Sequence, residues 1–496
     1  MKGAGGHSVI EIAVVGHTNA GKTSLLRTLT RQQNFGDVSD RPGTTRHVER
    51  IDLRVNGEPA VRFYDTPGLE DAVALQYFLE NLPGALANPV ERVRAFLAGP
   101  EAHAAFEQEA KVLRKMLEVD AAIYVIDCRQ ELLPKYRSEI ALLCACARPV
   151  MPVLNFMAAA GDQVRAWRAL LAGFNLHIVM EFDAVVPFVG SEGQLFHDLS
   201  VLLRDRQDQL QAVVAYLARQ GRERRAAAMT LAARLLVHAA AQRITVASSA
   251  LQSVEDRRAD AVHSLRHNLS QSMQACVQVV LGVYGFGSGD ADVQVAGWTS
   301  GRWEDDLFNP EVLQDAGRKL GKGAAVGAAI GFGADVALAG MSLGAATALG
   351  AAIGGVASQG WSQLPRKLSN KLQGIEELTL EDAVLLALAD SLLRLILALE
   401  QRGHAAHARL DIAALASELP VAHAPSGATA EDEDRSMLRQ VVRALRPARG
   451  FAPSEEGKAL ASNQGSRREA LVEEVGVRML QALEQRARSA SQTVTD

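Results

Sequence analysis

The chain has 496 residues, of which 48% are hydrophobic and 22% charged, with a formal net charge of −5. That length exceeds what one hydrophobic core supports, so several domains are expected, and the mild acidity excludes a strongly basic nucleic-acid-binding protein; no nucleic acid is indicated as a partner. Four cysteines, Cys128, Cys144, Cys146 and Cys276, are too few and too unevenly spaced for a disulfide framework or a metal pair, which fits a reducing cytoplasm.

The first residues, Met1 to His7, contain no apolar signal region, so the N-terminal domain is expected in the cytosol. Ile10–Val15 is a short apolar run that ends at Gly16, and a helical pattern with Leu25, Leu26 and Leu29 on one face starts at Lys22. Between them lies Gly16-His17-Thr18-Asn19-Ala20-Gly21-Lys22-Thr23, which satisfies the phosphate-binding loop pattern at every constrained position, with Ser24 following. In such a loop the glycines let backbone N–H groups turn toward phosphates, the lysine reaches the β- and γ-phosphates, and the hydroxyl of Thr23 is offered to Mg²⁺.

Val48–Val55 and Ala60–Tyr64 read as two strands joined at Asn56-Gly57, a hairpin turn signal. Asp65-Thr66-Pro67-Gly68 follows, where a carboxylate for the magnesium shell and a glycine N–H for the γ-phosphate are needed. Arg41-Pro42-Gly43-Thr44-Thr45-Arg46 is a loop able to order around a γ-phosphate and magnesium and to relax after its loss. Ala121–Ile126, Val150–Leu154 and Val185–Val189 are further strand candidates, with a helix over Glu131–Cys146 and an insertion at about 70–120 that is helical at Phe106–Glu118. Alternation of strands and helices predicts an α/β P-loop NTPase domain over residues 1–195, its mostly parallel sheet covered by helices on both faces.

Residues 196–285 are expected to form long helices interrupted at Gly221, followed by a linker over 286–320. A Gly/Ala-rich segment, 321–361, carries Asp335 as its sole charge between Gly323 and Ala357 and repeats glycine every fourth residue at Gly323, Gly327 and Gly331. Small-residue spacing of this kind lets helices approach closely in a membrane, and Arg318, Lys319, Lys322, Arg366, Lys367 and Lys371 at its flanks suit a hydrophobic hairpin with both ends on the cytoplasmic face. Buried helices within the protein are the other reading of the same residues. The helical C-terminal region, 362–496, contains an amphipathic helix over Thr379–Leu399 with Thr379 as its cap and a one-turn pair Asp390/Arg394, which mark it as a core helix, not a span; loops are expected at 420–436 and 446–457.

On the phosphate loop, the Asp65 motif and the threonine loop between them, the chain resembles the Era/septin-like class of P-loop GTPases, and within it a bacterial family whose C-terminal half has no assigned function. The resemblance covers about residues 8–195 and implies that Lys22, Thr45 and Gly68 serve hydrolysis, that Thr23, Thr45 and Asp65 hold Mg²⁺, and that Asn19 coordinates a K⁺ ion standing in for an arginine finger. Leu69 stands where many small GTPases carry a water-orienting glutamine, so slow intrinsic turnover is expected. The base-reading motif departs from the class: Asn155-Phe156-Met157-Ala158 keeps an asparagine for the purine and offers Phe156 for stacking, but lacks the carboxylate that pairs with guanine. Each such charge-assisted bond is worth about 1.5–3 kcal/mol. Asp162 or Asp183 could take its place in space, and the later loop Val189-Gly190-Ser191-Glu192-Gly193 retains a serine. The expectation is a GTP/GDP-binding switch on membrane lipid, peripheral or hairpin-inserted, with a homodimer or protein effector; a membrane scaffold that binds nucleotide without turnover and an ATP-using P-loop protein stay open.

Overall fold

The computed structural model describes residues 8–31, 48–82, 88–157, 161, 163–183, 190–247, 254–286, 375–402, 428–451 and 463–493. The chain divides into two units, Met1–Arg222 with Gln401–His407, and Glu223–Glu400 with Ala408–Asp496.

The first unit is built on a six-stranded sheet in the order β2-β3-β1-β4-β5-β6. In chain order its strands are β1 (Ile10–Gly16), β2 (Glu49–Val55), β3 (Glu58–Asp65), β4 (Ala121–Asp127), β5 (Val150–Asn155) and β6 (Met180–Glu181). The β2–β3 pair is antiparallel and all other pairs are parallel. Every residue of β4 and β5 is buried, as expected of strands covered on both faces. Because side chains alternate along a strand, β1 sends Ala13 and Val15 into one core and Ile10, Ile12 and Val14 into the other.

The first core is closed by α2 (Ala72–Glu80), α3 (Pro89–Ala98), α4 (Glu107–Glu118), α5 (Pro134–Ala145) and α6 (Gln163–Ala172), through Leu75, Phe96, Leu113, Leu143 and Trp167. The second is closed by α1 (Lys22–Thr30), α7 (Ser191–Leu202) and the start of α8 (Gln207–Ala241), through Leu25, Phe196 and Leu210. Asn56 and Gly57 both take positive φ, 52° and 90°, in the two-residue hairpin turn their sequence predicts. α2, α3 and the start of α4 meet through apolar contacts: Phe78, Phe96 and Phe106 form a ring cluster with centroids 5.9 to 6.1 Å apart, and Asn88 caps α3 by accepting from Glu91 N–H at 2.9 Å.

The second unit holds the rest of α8, then β7 (Arg243–Ala247), α9 (Val254–Val283), β8 (Ile375–Thr379), α10 (Asp382–Glu400), α11 (Ala428–Ala444) and α12 (Asn463–Thr493), with β7 and β8 pairing antiparallel. One core joins Leu236, Leu269, Leu388 and Val475. The α10 helix is buried through most of its length and carries the Asp390–Arg394 pair at 2.9 Å, so it is the core helix its charges indicate. Arg486 of α12 donates to Asp390 and to both carboxylate oxygens of Asp434. Arg225 forks onto Glu400 at 2.7 and 2.9 Å, and Tyr284 donates to the same carboxylate at 3.1 Å.

Four expectations need correction. Gly221 does not interrupt the helix but lies inside α8, because the cost of one glycine, about 1 kcal/mol, is small against the alanine, arginine and glutamine around it. Thr379 closes β8 and lies three residues ahead of the helix, which starts at Asp382. The loop expected at 420–436 is helical from Ala428 onward, since Leu438 and Val441 anchor the same helix and Asp434 is bonded to Arg486. Arg446–Gly450 forms a 3-10 turn with Ala448 buried and Arg449 bonded to Asp382 at 2.6 Å. The Val185–Val189 strand and the Gly/Ala-rich segment lie outside the described residues, among which no helix is long and apolar enough to cross a membrane.

Replacing Arg486 by methionine would leave Asp390 and Asp434 facing each other without their shared cation. Removing one member of a partly buried ion cluster costs up to about 3 kcal/mol, so Arg486→Met should lower the unfolding midpoint in urea; an unchanged midpoint would mean that the cluster contributes no net stability.

Candidate nucleotide site

The site lies where β1, β3, β4 and β5 end side by side. The turn after β1 delivers Gly21 in a left-handed conformation, φ 91°, as the residue before α1. A side chain there would also strike Asn155 Nδ2 at 2.4 Å. Lys22 opens α1, is buried, and donates from Nζ to the carbonyls of Gly16 at 3.2 Å and His17 at 3.0 Å, which holds the loop closed around its ammonium. Burial lowers the Lys22 pKa, while the carboxylates of Asp65 and then Glu139 act to raise it.

Asp65 ends β3 and is fully buried. Thr23 Oγ1 donates to its Oδ2 at 2.5 Å, whereas Oδ1 has no hydrogen-bond partner among the described residues. Burial pushes the Asp65 carboxyl up to about 6, against the opposing pull of Lys22 and the Thr23 hydrogen bond. A buried carboxylate oxygen without a donor, beside a threonine hydroxyl, is a hard-oxygen pair of the kind Mg²⁺ prefers, so these residues fit that ion.

The segment after Asp65 is tied to the loop along its backbone. Thr66 donates from both N and Oγ1 to Val14 O, and Leu69 N donates to Gly16 O at 3.3 Å. Gly68 presses on Thr18 so closely that a Cβ would lie 2.2 Å from Thr18 Oγ1 and 2.7 Å from Thr18 N. Leu69 is wholly buried, so its side chain cannot face a reacting water.

His17 is the centre of a polar network that the loop pattern does not announce. Its Nδ1 lies 2.9 Å from Leu69 O and 2.8 Å from Glu139 Oε1, and its Nε2 lies 2.8 Å from Lys135 Nζ. An ammonium can only donate, so Nε2 accepts and the proton sits on Nδ1, which donates to Glu139 and Leu69. Glu139 is fully buried and accepts from Tyr124 OH at 2.9 Å, and burial, with the Glu139 charge after it, holds Tyr124 well above the usual phenol range. Sequence reasoning passed over Glu139, although a lone carboxylate beside Ile140, Leu142 and Leu143 is the available signal.

On the base side, Asn155 donates from Nδ2 to Ala20 O at 3.0 Å and accepts at Oδ1 from Phe156 N–H at 3.0 Å. The asparagine thus braces the phosphate loop. Phe156 takes φ 59°, and the Arg129 guanidinium lies 4.0 Å from its ring centroid, held by a two-pronged bond to Asp127 at 2.9 Å on each side. Asp183 follows β6, whose neighbour Phe182 donates to Leu154 O at 3.0 Å, and its charge adds to that of Asp127 in raising the Arg129 pKa. Ser191 starts α7, with Glu192 forked onto Arg31 at 2.8 and 3.0 Å. The structure therefore brings together Gly16 to Ser24, Asp65, Gly68, Asn155 and Phe156, while Arg41 to Arg46, with Thr44 and Thr45, and Asp162 lie outside the described residues.

A parallel sheet with this loop, lysine and carboxylate defines a P-loop GTPase domain, and residues 11–156 match the family model described as 50S ribosome-binding GTPase. Residues 168–476 match the model described as a domain of unknown function, DUF3482. The chain belongs to that DUF3482 family, with an Era-like GTPase domain ahead of it. It is 28% identical over 188 residues to GTPase Der from Azorhizobium caulinodans, covering 38% of this chain and 33% of Der. It is 42% identical over 60 residues to the probable GTP-binding protein EngB from Albidiferax ferrireducens, covering 12% of this chain and 29% of that one. The chain thus spans about a third of the length of these relatives. Among solved structures, Era in complex with MgGDPNP and nucleotides 1506-1542 of 16S ribosomal RNA aligns at 20% identity and a TM-score of 0.26, over 36% of this chain and 51% of Era. A probable GTP-binding protein engB aligns at 16% identity and a TM-score of 0.25, over 40% of this chain and 99% of that one.

Gly68→Ala should force the segment off Thr18, because the clash involves backbone as well as side chain. A loss of about 1–3 kcal/mol is expected, read as a lower urea midpoint; full stability in the variant would show that the close approach of Gly68 to Thr18 is dispensable.

Proposed function

We propose that this chain is a magnesium-dependent GTP-hydrolysing switch whose helical C-terminal domain acts at the cytoplasmic face of a membrane. The observation that carries the reading is the cluster of buried Lys22, the Thr23 hydroxyl and the donor-free Asp65 Oδ1 at the mouth of the phosphate loop. Lys22 binds the β- and γ-phosphate oxygens, the amides from Gly16 to Thr23 cradle the chain of phosphates, and Ser24 adds a group behind them. Thr23, Asp65 and Thr45 hold Mg²⁺, which when bound neutralises phosphate charge. The Gly68 N–H takes the γ-phosphate.

Leu69 offers no group to orient water, so intrinsic turnover is slow and a K⁺ ion at Asn19, a second copy or a protein effector raises it. GTP is the favoured nucleotide through membership of the GTPase family, although Asn155 and Phe156 come without the usual carboxylate. Loss of the γ-phosphate relaxes the Arg41–Arg46 loop and the Gly68–Asp71 segment, and the helical domain senses that change.

Phosphate release from GTP should fall by about 10²-fold or more in Lys22→Ala, the scale of losing a transition-state charge donor, and should be several-fold faster in KCl than in NaCl. Competition of GTP and ATP for one labelled nucleotide completes the test: release independent of Lys22 sinks the enzyme, equal rates in both salts remove the K⁺ role of Asn19, and equal displacement by ATP removes the guanine preference.

The membrane part of the proposal rests on the Gly/Ala composition of 321–361 and its basic flanks. Deleting Gly323 to Ala357 should move the protein from the membrane pellet to the supernatant; an unchanged distribution counts against lipid binding.

A further inference from the structure

We infer that Glu109, on the helix inserted between α2 and β4, is a positioning residue that clamps the segment carrying Gly68. This inference rests on the GTPase reading above and assigns the insertion a role in it.

Glu109 is a carboxylate buried to 4% exposure on α4. Its Oε1 accepts the backbone N–H of Glu70 at 3.1 Å and of Asp71 at 2.9 Å. Asp71 is also the cap of α2, accepting from Ala74 N–H at 3.2 Å, so Glu109 sits near the positive end of that helix, on the two amides just ahead of it. A carboxylate buried in an apolar wall is costly unless it is satisfied, and here two amides of one short segment satisfy it.

The helix that presents Glu109 is a fixed platform. Ala110, Val112, Leu113 and Met116 bury its inner face in the core, Lys115 lies 4.1 Å from the Tyr64 ring centroid on β3, and Phe106 at its start packs on Phe78 of α2. α4 is the last helix of the crossover from β3 to β4 and is held by its own packing on the sheet. The insertion places one acceptor where the segment after Gly68 requires it.

With Glu109 included, residues 66–71 are anchored from both sides. Thr66 and Leu69 bond to β1 and the phosphate loop, and His17 donates to Leu69 O. Glu70 and Asp71 bond to the insertion. Leu69 is buried and supplies no side chain to the chemistry, so hydrolysis depends on how firmly the backbone aims the Gly68 N–H. Glu109 supports that aim from outside the nucleotide site.

The test compares Glu109→Ala and Glu109→Gln in the full chain. Glu109→Ala should lower kcat for GTP by about tenfold with KM and GDP affinity unchanged, since the lost contact acts on alignment and not on nucleotide binding. Glu109→Gln keeps an acceptor oxygen and should recover most of the rate. Hydrogen exchange should show Glu70 and Asp71 amides losing protection in Glu109→Ala while β1 and α4 keep theirs. An unchanged kcat in Glu109→Ala overturns the clamp, as does a joint collapse of nucleotide affinity and melting temperature, which would make Glu109 merely structural. If the wild-type chain shows no Lys22-dependent release, the GTPase reading fails, and the clamp then stands or falls on the exchange result alone.

Discussion

The parallel register of β1 on β3, which sets Val14 opposite Asp65, is the constraint from which the site follows. It brings the carboxylate at the end of one strand against the loop that leaves the other, so Lys22, Thr23 and Asp65 converge although 42 residues separate Thr23 from Asp65. It also lets Thr66 and Leu69 continue the strand-to-strand bonding one step past the sheet, onto Val14 and Gly16. Burial at this point lowers the lysine and raises the aspartate, so each group is held away from its ordinary range by the same lack of water. A cation and phosphate oxygens would supply the compensation that solvent cannot.

The parts of this arrangement that were legible in the sequence are those where backbone geometry demands particular residues. Gly21 needs a left-handed conformation, Asn56-Gly57 needs two in succession, and β4 and β5 need unbroken apolar runs because both faces are covered. The phosphate loop therefore announced itself, and the mostly parallel sheet followed. Features set by tertiary contact did not. Glu139 and Glu109 read locally as ordinary helix residues, since nothing in a 3.6-residue pattern reveals that a carboxylate has found a histidine, a tyrosine or two amides far along the chain. Gly221 and the acidic start of α11 misled for the converse reason: local propensity is worth about 1 kcal/mol per residue at most positions and yields to the packing of the rest of a helix.

In the helical unit the same rule governs the buried charges. Arg486 on Asp434 and Arg225 on Glu400 each place a planar guanidinium where its fork matches a carboxylate, and Arg449 bonds Asp382 together with Leu380 O. Such pairs add less net stability than their Coulomb energy suggests, because both ions leave water, but they penalise any other register of the helices by stranding a charge. A core made largely of alanine, leucine and valine has few distinctive shapes, and these pairs supply the discrimination that its side-chain volumes lack.

The base side shows how a motif can keep one residue and lose the others. Asn155 is bonded to the phosphate loop through Ala20 O, and Gly21 lies so near its side chain and the Phe156 ring that these positions are fitted together. Its bracing role requires an amide whether or not a base is read. Phe156, in a left-handed backbone with Arg129 across its ring, holds the asparagine through its own N–H, and Met157 packs against the apolar core. The amide that braces the loop is thus kept where the motif's carboxylate is not, because the bond to Ala20 O depends on Asn155 alone.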